Sequence, residues 1–263
     1  MRPQSLDMSN INRVPRVTAD FWLIKLMAVT MGETAADYLA VNLGLGLTAT
    51  SLIMSAVLVA TLGLQFAQKR YVPWAYWLAV VLISIVGTLI TDNLTDNLGV
   101  PLETSTVVFT LALVATFSLW YASERTLSIH SIYTTRREAF YWLAILFTFA
   151  LGTAAGDLVA ERFAFGYMTT ALLFAAVIAA VAFAYYALGL NAVAAFWLAY
   201  IFTRPAGASV GDLLAQPIEY GGLGLGTVVT STLFLTVILI TVTYMMFSYE
   251  PETAVADNRP AKG

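Results

Sequence analysis

Four aspartates fall at equivalent places in this chain, and their setting is what makes them candidates for chemistry. Asp37, Asp92, Asp157 and Asp212 each follow a glycine by five residues and a tryptophan by fifteen. The glycines are Gly32, Gly87, Gly152 and Gly207, and the tryptophans Trp22, Trp77, Trp142 and Trp197. The pattern W-x9-G-x4-D thus occurs four times without a gap, with Trp-to-Trp spacings of 55, 65 and 55 residues. Each carboxylate stands in apolar sequence, where an ionisable group is costly and usually functional. The pattern therefore points to a cation or proton site built where four equivalent segments converge. The competing expectation is an Asp that caps a neighbouring backbone or reaches the membrane interface.

Every aspartate closes a Gly-xxx-small-Asp unit, and Gly152–Gly156 and Gly207–Gly211 are literal G-xxx-G pairs. Small residues four apart share a helix face and allow close backbone approach, so these glycines are expected to pack helix on helix. Four residues after the motif Asp come Val41, Asp96, Glu161 and Gln216. Asp96 and Glu161 then share a face with Asp92 and Asp157, as a charged mouth for cations or as ordinary headgroup-level polarity.

Two charges break the repeat. Glu33 has the equivalents Thr88, Thr153 and Ala208, and Arg204 has Val29, Ser84 and Phe149. Arg204 precedes Pro205, which removes a backbone donor and is expected to kink its helix. A charge beside such a break suits a substrate-binding element, but Glu33 lies within about one turn of Arg204 in depth and is its natural ion-pair partner. Lys25, three residues from Trp22, is expected to snorkel to the membrane surface. The four tryptophans read most simply as interface anchors, with packing between repeats as the alternative. Threonines 88, 91, 148, 153 and 203 could ligate a cation, although threonines in helices more often bond their own backbone.

The elements that must position these residues follow from composition. The 263 residues are 59% hydrophobic and 11% charged, with mean hydropathy +0.78. A soluble domain carries about 25% charged residues, so the chain reads as an all-α polytopic membrane protein. A span needs about 20 mostly apolar residues. Eight segments qualify, approximately 21–43, 48–67, 75–98, 103–121, 139–161, 167–188, 193–215 and 225–247. They form four parallel-oriented helical hairpins, repeats of about 21–74, 75–138, 139–192 and 193–248, between polar tails at 1–20 and 249–263 that read as mobile. The four W-G-D helices are expected to line an interior, with the plain helices outside.

Ten Lys and Arg residues fall in the tails and in the second-to-third and fourth-to-fifth links, whereas the opposite side holds Arg162. Basic loops face the cytoplasm, so both termini are expected there, and the aspartates lie about 22 Å from the tryptophans, towards the outside. With no cysteine and a single histidine, His130 in a polar link, thiolate and membrane-embedded histidine metal chemistry are excluded. Nucleotide-binding and metalloprotease motifs are absent, no segment suits a nucleic acid, and neither a cofactor nor an enzymatic activity is implied.

Four tandem two-span units with these tryptophans and G-x4-D cores resemble a bacterial family of multi-pass membrane-anchored proteins built of a repeat of unknown function. The resemblance covers about residues 20–248. It implies a bacterial inner-membrane location and brings no activity with it. From the residues themselves, the expected function is a secondary transporter or exchanger for a hard cation: H⁺, Na⁺ or a divalent such as Mn²⁺, Mg²⁺ or Ca²⁺. The alternatives are a proton-coupled permease for a small organic or anionic solute, with Arg204 as the binding charge, and a non-transporting scaffold or partner subunit.

Overall fold

The computed structural model describes residues 12–248. The tail at 249–263 and the first eleven residues, with Arg2, Gln4, Arg259 and Lys262, lie outside the described residues. Among the described residues there are eight α-helices and no strand: α1 (Ala19–Asp37), α2 (Leu47–Phe66), α3 (Pro73–Asp92), α4 (Leu102–Glu124), α5 (Thr135–Asp157), α6 (Gly166–Leu188), α7 (Ala192–Ala215) and α8 (Thr227–Ser248).

The starts of the odd-numbered helices are written locally. The Thr18 hydroxyl accepts from the Phe21 amide, Thr134 from Arg137, and Asn191 from Val193 and Ala194. Pro73 opens α3, where its missing N–H costs nothing. Their ends are equally regular. Immediately after the motif aspartate, α1, α3 and α5 widen into a π-helical turn, at Tyr38–Asn42, Asn93–Asn97 and Leu158–Arg162. Such turns are rare and collect at functional sites. In the fourth repeat Pro217 holds Gln216 extended, and α7 stops instead at Ala215.

Six helices are long and apolar enough to cross a membrane: α2, α4, α6, α8 and, with their π-turns, α3 and α5. In α1 the charges Asp20, Lys25, Glu33 and Asp37 lower the hydropathy, and α7 carries Arg204 and Asp212. Burial separates two layers. The apolar window of α3 is 83% buried, and that of α6 11%. The odd helices form a closed inner ring in which α1 packs on α3, α3 on α5, α5 on α7, and α7 back on α1.

The outer helices depart from a simple hairpin arrangement. The principal partner of α2 is α3, that of α4 is α5, that of α6 is α7, and α8 packs on α1. Each outer helix therefore crosses to the inner helix of the following repeat, and the last one closes onto the first. The same polar latch recurs at three of these joins. Thr227 donates to Asn42 at 3.0 Å, Asn97 to Thr48 at 2.9 Å, and Arg162 pairs with Glu103 at 2.9 Å.

Residues 12–18 do not behave as a free tail. The Asn12 side chain donates to the carbonyls of Val14 and Ile129 and accepts from the Ile132 amide, while its own carbonyl accepts from the Tyr71 amide. Arg13 pairs with the fully buried Glu138 at 2.6 Å. The segment is a strap across the tryptophan end of the ring, with Val14 buried beneath it.

Candidate functional site

Each ring contact is made by the glycine of one repeat. A β-carbon on Gly32 would overlap Ser84, one on Gly87 would meet Phe149, one on Gly152 would overlap Arg204, and one on Gly207 would meet Val29. In every case the partner stands three residues before the next repeat's own glycine. The small residue one turn on continues the contact: Gly156 rests on Pro205, Gly211 on Thr30 and Glu33, and Thr91 donates to the Ala150 carbonyl at 3.0 Å. The glycines expected to pack helices therefore do so, at the seams of the ring.

This close approach brings the residues that follow the glycines together. Arg204 is fully buried, and its Nη2 donates to Glu33 Oε2 at 2.8 Å, to Thr153 Oγ1 at 2.7 Å and to Thr88 Oγ1. Glu33, Thr88 and Thr153 are the residues directly after Gly32, Gly87 and Gly152. One guanidinium thus ties its own helix to the other three inner helices. Thr88 also donates to Glu33 Oε2 at 3.1 Å, and Thr153 to the Phe149 carbonyl at 3.3 Å, so both hydroxyls bond as donor and acceptor at once. Nε and Nη1 of Arg204 are buried without a hydrogen-bond partner, and the guanidinium lies 5.3 Å from the Phe149 ring centre. Proline does not break the helix here. α7 runs unbroken through Pro205.

Lys25 corrects the sequence reading. It is fully buried and does not reach the surface. Its ammonium donates to the Tyr200 carbonyl at 3.0 Å and to the Thr203 hydroxyl, and it lies 4.3 Å from the Tyr200 ring centre and 5.4 Å from that of Phe149. Pro205 cannot donate to the Ile201 carbonyl, and Lys25 holds the carbonyl next to it. Phe149 thus has two buried cations, Lys25 and Arg204, close to its ring, and among the described residues Lys25 has no carboxylate partner.

One turn beyond Glu33, Thr88, Thr153 and Ala208 stand the four motif aspartates. Asp212 is 7% exposed and the other three are half-buried. They share one electrostatic environment: Asp92 feels the charges of Asp157 and Asp37, and Asp212 those of Asp37 and Asp157. Asp37 accepts from Gln216 at 3.2 Å. Asp92, Asp157 and Asp212 have no hydrogen-bond or ion-pair partner among the described residues. Asp96 and Glu161 lie exposed at the rim, where Tyr167 donates to Glu161 at 3.3 Å. Among the described residues, no group of three His, Cys, Asp or Glu side chains is arranged to hold a metal ion.

The tryptophans also differ from expectation. Trp77, Trp142 and Trp197 are buried, as packing between repeats requires and lipid-interface anchoring does not, whereas Trp22 is half-buried. Their indole N–H groups hold polar partners at the strap end: Tyr71 Oη at 3.1 Å, Glu138 at 3.4 Å and the Leu127 carbonyl at 2.9 Å. Just before them, Phe21, Tyr76, Tyr141 and Phe196 form a buried aromatic layer, with the Tyr76 and Tyr141 hydroxyls 2.5 Å apart. Sequence reasoning missed this layer, although its signal, an aromatic before every tryptophan, sits in the same repeat register.

Four tandem matches to the DUF347 family, a Repeat of Unknown Function, cover residues 21–71, 75–126, 140–190 and 195–250. The chain belongs to the DUF347 family. The four DUF347 repeats coincide with the four inner–outer helix pairs, and each contains one W-G-D inner helix. No curated protein and no solved structure matches the chain.

Proposed function

We propose that this DUF347 protein is a membrane transport protein for a proton or another small hard cation. In this reading all eight helices cross a bacterial inner membrane, with both termini in the cytoplasm and the aspartate end outside. The chain acts as a carrier and not as an enzyme. The observation that carries the reading is the placement of Asp37, Asp92, Asp157 and Asp212 at one level of a closed four-helix ring, within electrostatic reach of one another and, for the last three, without a hydrogen-bond or ion-pair partner among the described residues.

Packing alone does not call for four such groups, because an ionised carboxylate removed from water without a partner is costly. A carboxylate layer that opens past Asp96 and Glu161 attracts cations and can hand them inward. The Arg204–Glu33 bridge, the Lys25 ammonium and the aromatic layer then block the path in succession.

A second reading has its own support. Lys25 is buried near Arg204 with no acid of its own among the described residues, an arrangement that suits a small anion carried together with protons. Flux into liposomes separates the two. The purified protein is assayed with a panel of H⁺, Na⁺, K⁺, Mg²⁺, Ca²⁺ and Mn²⁺ gradients and with small carboxylate and halide gradients. Cation flux that falls in Asp157→Asn and vanishes when all four aspartates are asparagine supports the proposal. Flux that survives all four substitutions defeats it.

A further inference from the structure

The Arg204 guanidinium sits where three oxygen atoms from three different repeats point at one spot. Glu33 Oε2 and Thr153 Oγ1 are 2.8 and 2.7 Å from Nη2, and Thr88 Oγ1 also accepts from it. The fourth equivalent position is Ala208, on the helix that carries Arg204 itself, and its small side chain offers no competing group. One carboxylate and two hydroxyls are the ligands that a hard cation takes from a protein. We propose that Glu33, Thr88 and Thr153 form a binding cage for a small monovalent cation, and that the Arg204 guanidinium is a tethered occupant which a free cation replaces. The proposal rests on the transport reading and names the inner station of that pathway.

Charge selects the class of ligand. At this level Glu33 is the one ionisable residue besides Arg204, since its equivalents are two threonines and an alanine. The cage carries a single negative charge, which the guanidinium now balances. A monovalent cation balances it equally, whereas a divalent cation leaves an uncompensated charge in an apolar interior.

The structure also supplies a place for Arg204 to go. Asp157 lies on α5 one turn beyond Thr153, about 6 Å along the helix. It is within electrostatic range of Arg204 and has no hydrogen-bond partner among the described residues. In its present position Arg204 leaves Nε and Nη1 unbonded. A carboxylate accepts two parallel N–H groups of a guanidinium in one fork. A swing from the cage to Asp157 therefore exchanges one carboxylate partner for another and offers bonds to the nitrogens now unbonded, and the flexible guanidinium stem lies over Gly152, where no β-carbon stands in its way.

Emptying the cage tests the idea without any transport assay. The full chain carrying Arg204→Ala is purified in detergent, and its thermal unfolding is followed in choline chloride with millimolar additions of LiCl, NaCl, KCl or guanidinium chloride. At least one small cation or guanidinium is expected to raise the Tm of this variant by about 5 °C. The wild type, with its cage filled, and the double variant Glu33→Gln/Arg204→Ala are expected to respond by less than about a third of that shift. Arg204→Gln, which retains a hydrogen-bonding head without the charge, is measured in parallel and takes the place of Arg204→Ala if that variant does not fold. No response to any cation in the folded single variant overturns the proposal, as does an equal response in the double variant. Cation-specific stabilisation without flux in liposomes would defeat the transport reading and leave the cage standing. Aspartate-dependent flux with an unresponsive cage would do the reverse.

Discussion

The stem of Arg204 lies against the α-carbon of Gly152, in the space a β-carbon would occupy. The same relation links Gly32 to Ser84, Gly87 to Phe149 and Gly207 to Val29, and so travels once around the ring. Replacement of Gly87 by alanine meets the Phe149 β-carbon and the Ala150 backbone, which cannot swing aside. Overpacking of this kind costs about 1–3 kcal/mol. Gly87→Ala and Gly152→Ala are expected to lower Tm in detergent. Gly63→Ala, with nothing within 4 Å of the added carbon, is expected to be neutral or stabilising.

Removal of one member of the Arg204–Glu33 pair strands the other in the protein interior, at about 3–5 kcal/mol. Glu33→Gln and Arg204→Gln should each be destabilised, and the double variant should recover most of the loss. Thermal unfolding of the three proteins checks this. A double variant less stable than both singles would mean that the two threonines, and not Glu33, are the main partners.

Lys25→Met removes a buried ammonium that has no carboxylate partner among the described residues while preserving much of its length. Well-packed apolar replacements of buried charges are often neutral or stabilising. The variant is expected to match or exceed the wild-type Tm, and its cation flux should persist if the proposed function holds. A fall of several degrees would show that the bonds to Tyr200 and Thr203 outweigh the burial of the charge.

Asn12→Ala removes the acceptor for the Ile132 amide and the donor to the Ile129 carbonyl. A buried partner left unsatisfied costs about 1–3 kcal/mol. Hydrogen exchange at Ile132 should accelerate in this variant, while exchange in the middle of α3 should not change.

The chain has no native cysteine, so single cysteines report sidedness directly. Exposed positions 69 and 136 should label from one side of the membrane, and exposed positions 101 and 219 from the other. Labelling of 69 and 101 from the same side would exclude eight spans.

Much of this arrangement was readable in the repeat register. A fixed spacing of Trp, Gly and Asp required four equivalent helical units, and comparison across units singled out Glu33 and Arg204 as the broken positions. Depth along the helix then paired them correctly. What sequence could not supply was the direction each side chain takes around its helix. Depth alone put Lys25 and the tryptophans at an interface, but the tight seams at the glycines turn Lys25, Trp77, Trp142 and Trp197 inward, where backbone carbonyls and polar side chains receive them. Nor could link length reveal that α2 prefers α3 to α1. Adjacency in sequence favours a hairpin, and only the packed ring shows the exchange. Pro205 suggested a broken helix, yet neighbours on both sides hold α7 continuous.

That exchange bears on how the protein is made. As the chain emerges, α2, α4 and α6 each wait only for the next helix to be inserted, but α1, which carries Lys25 and Glu33 in its interior, waits for α8. Until α7 is in place, Lys25 and Glu33 lack Tyr200, Thr203 and Arg204, and until α8 follows, α1 has no outer wall beside it. Insertion is therefore sequential, while α1 is enclosed only by the last two helices, α7 closing the ring and α8 covering it. Chains truncated before α8 should stay recognisable to membrane quality control, even with seven of the eight helices complete.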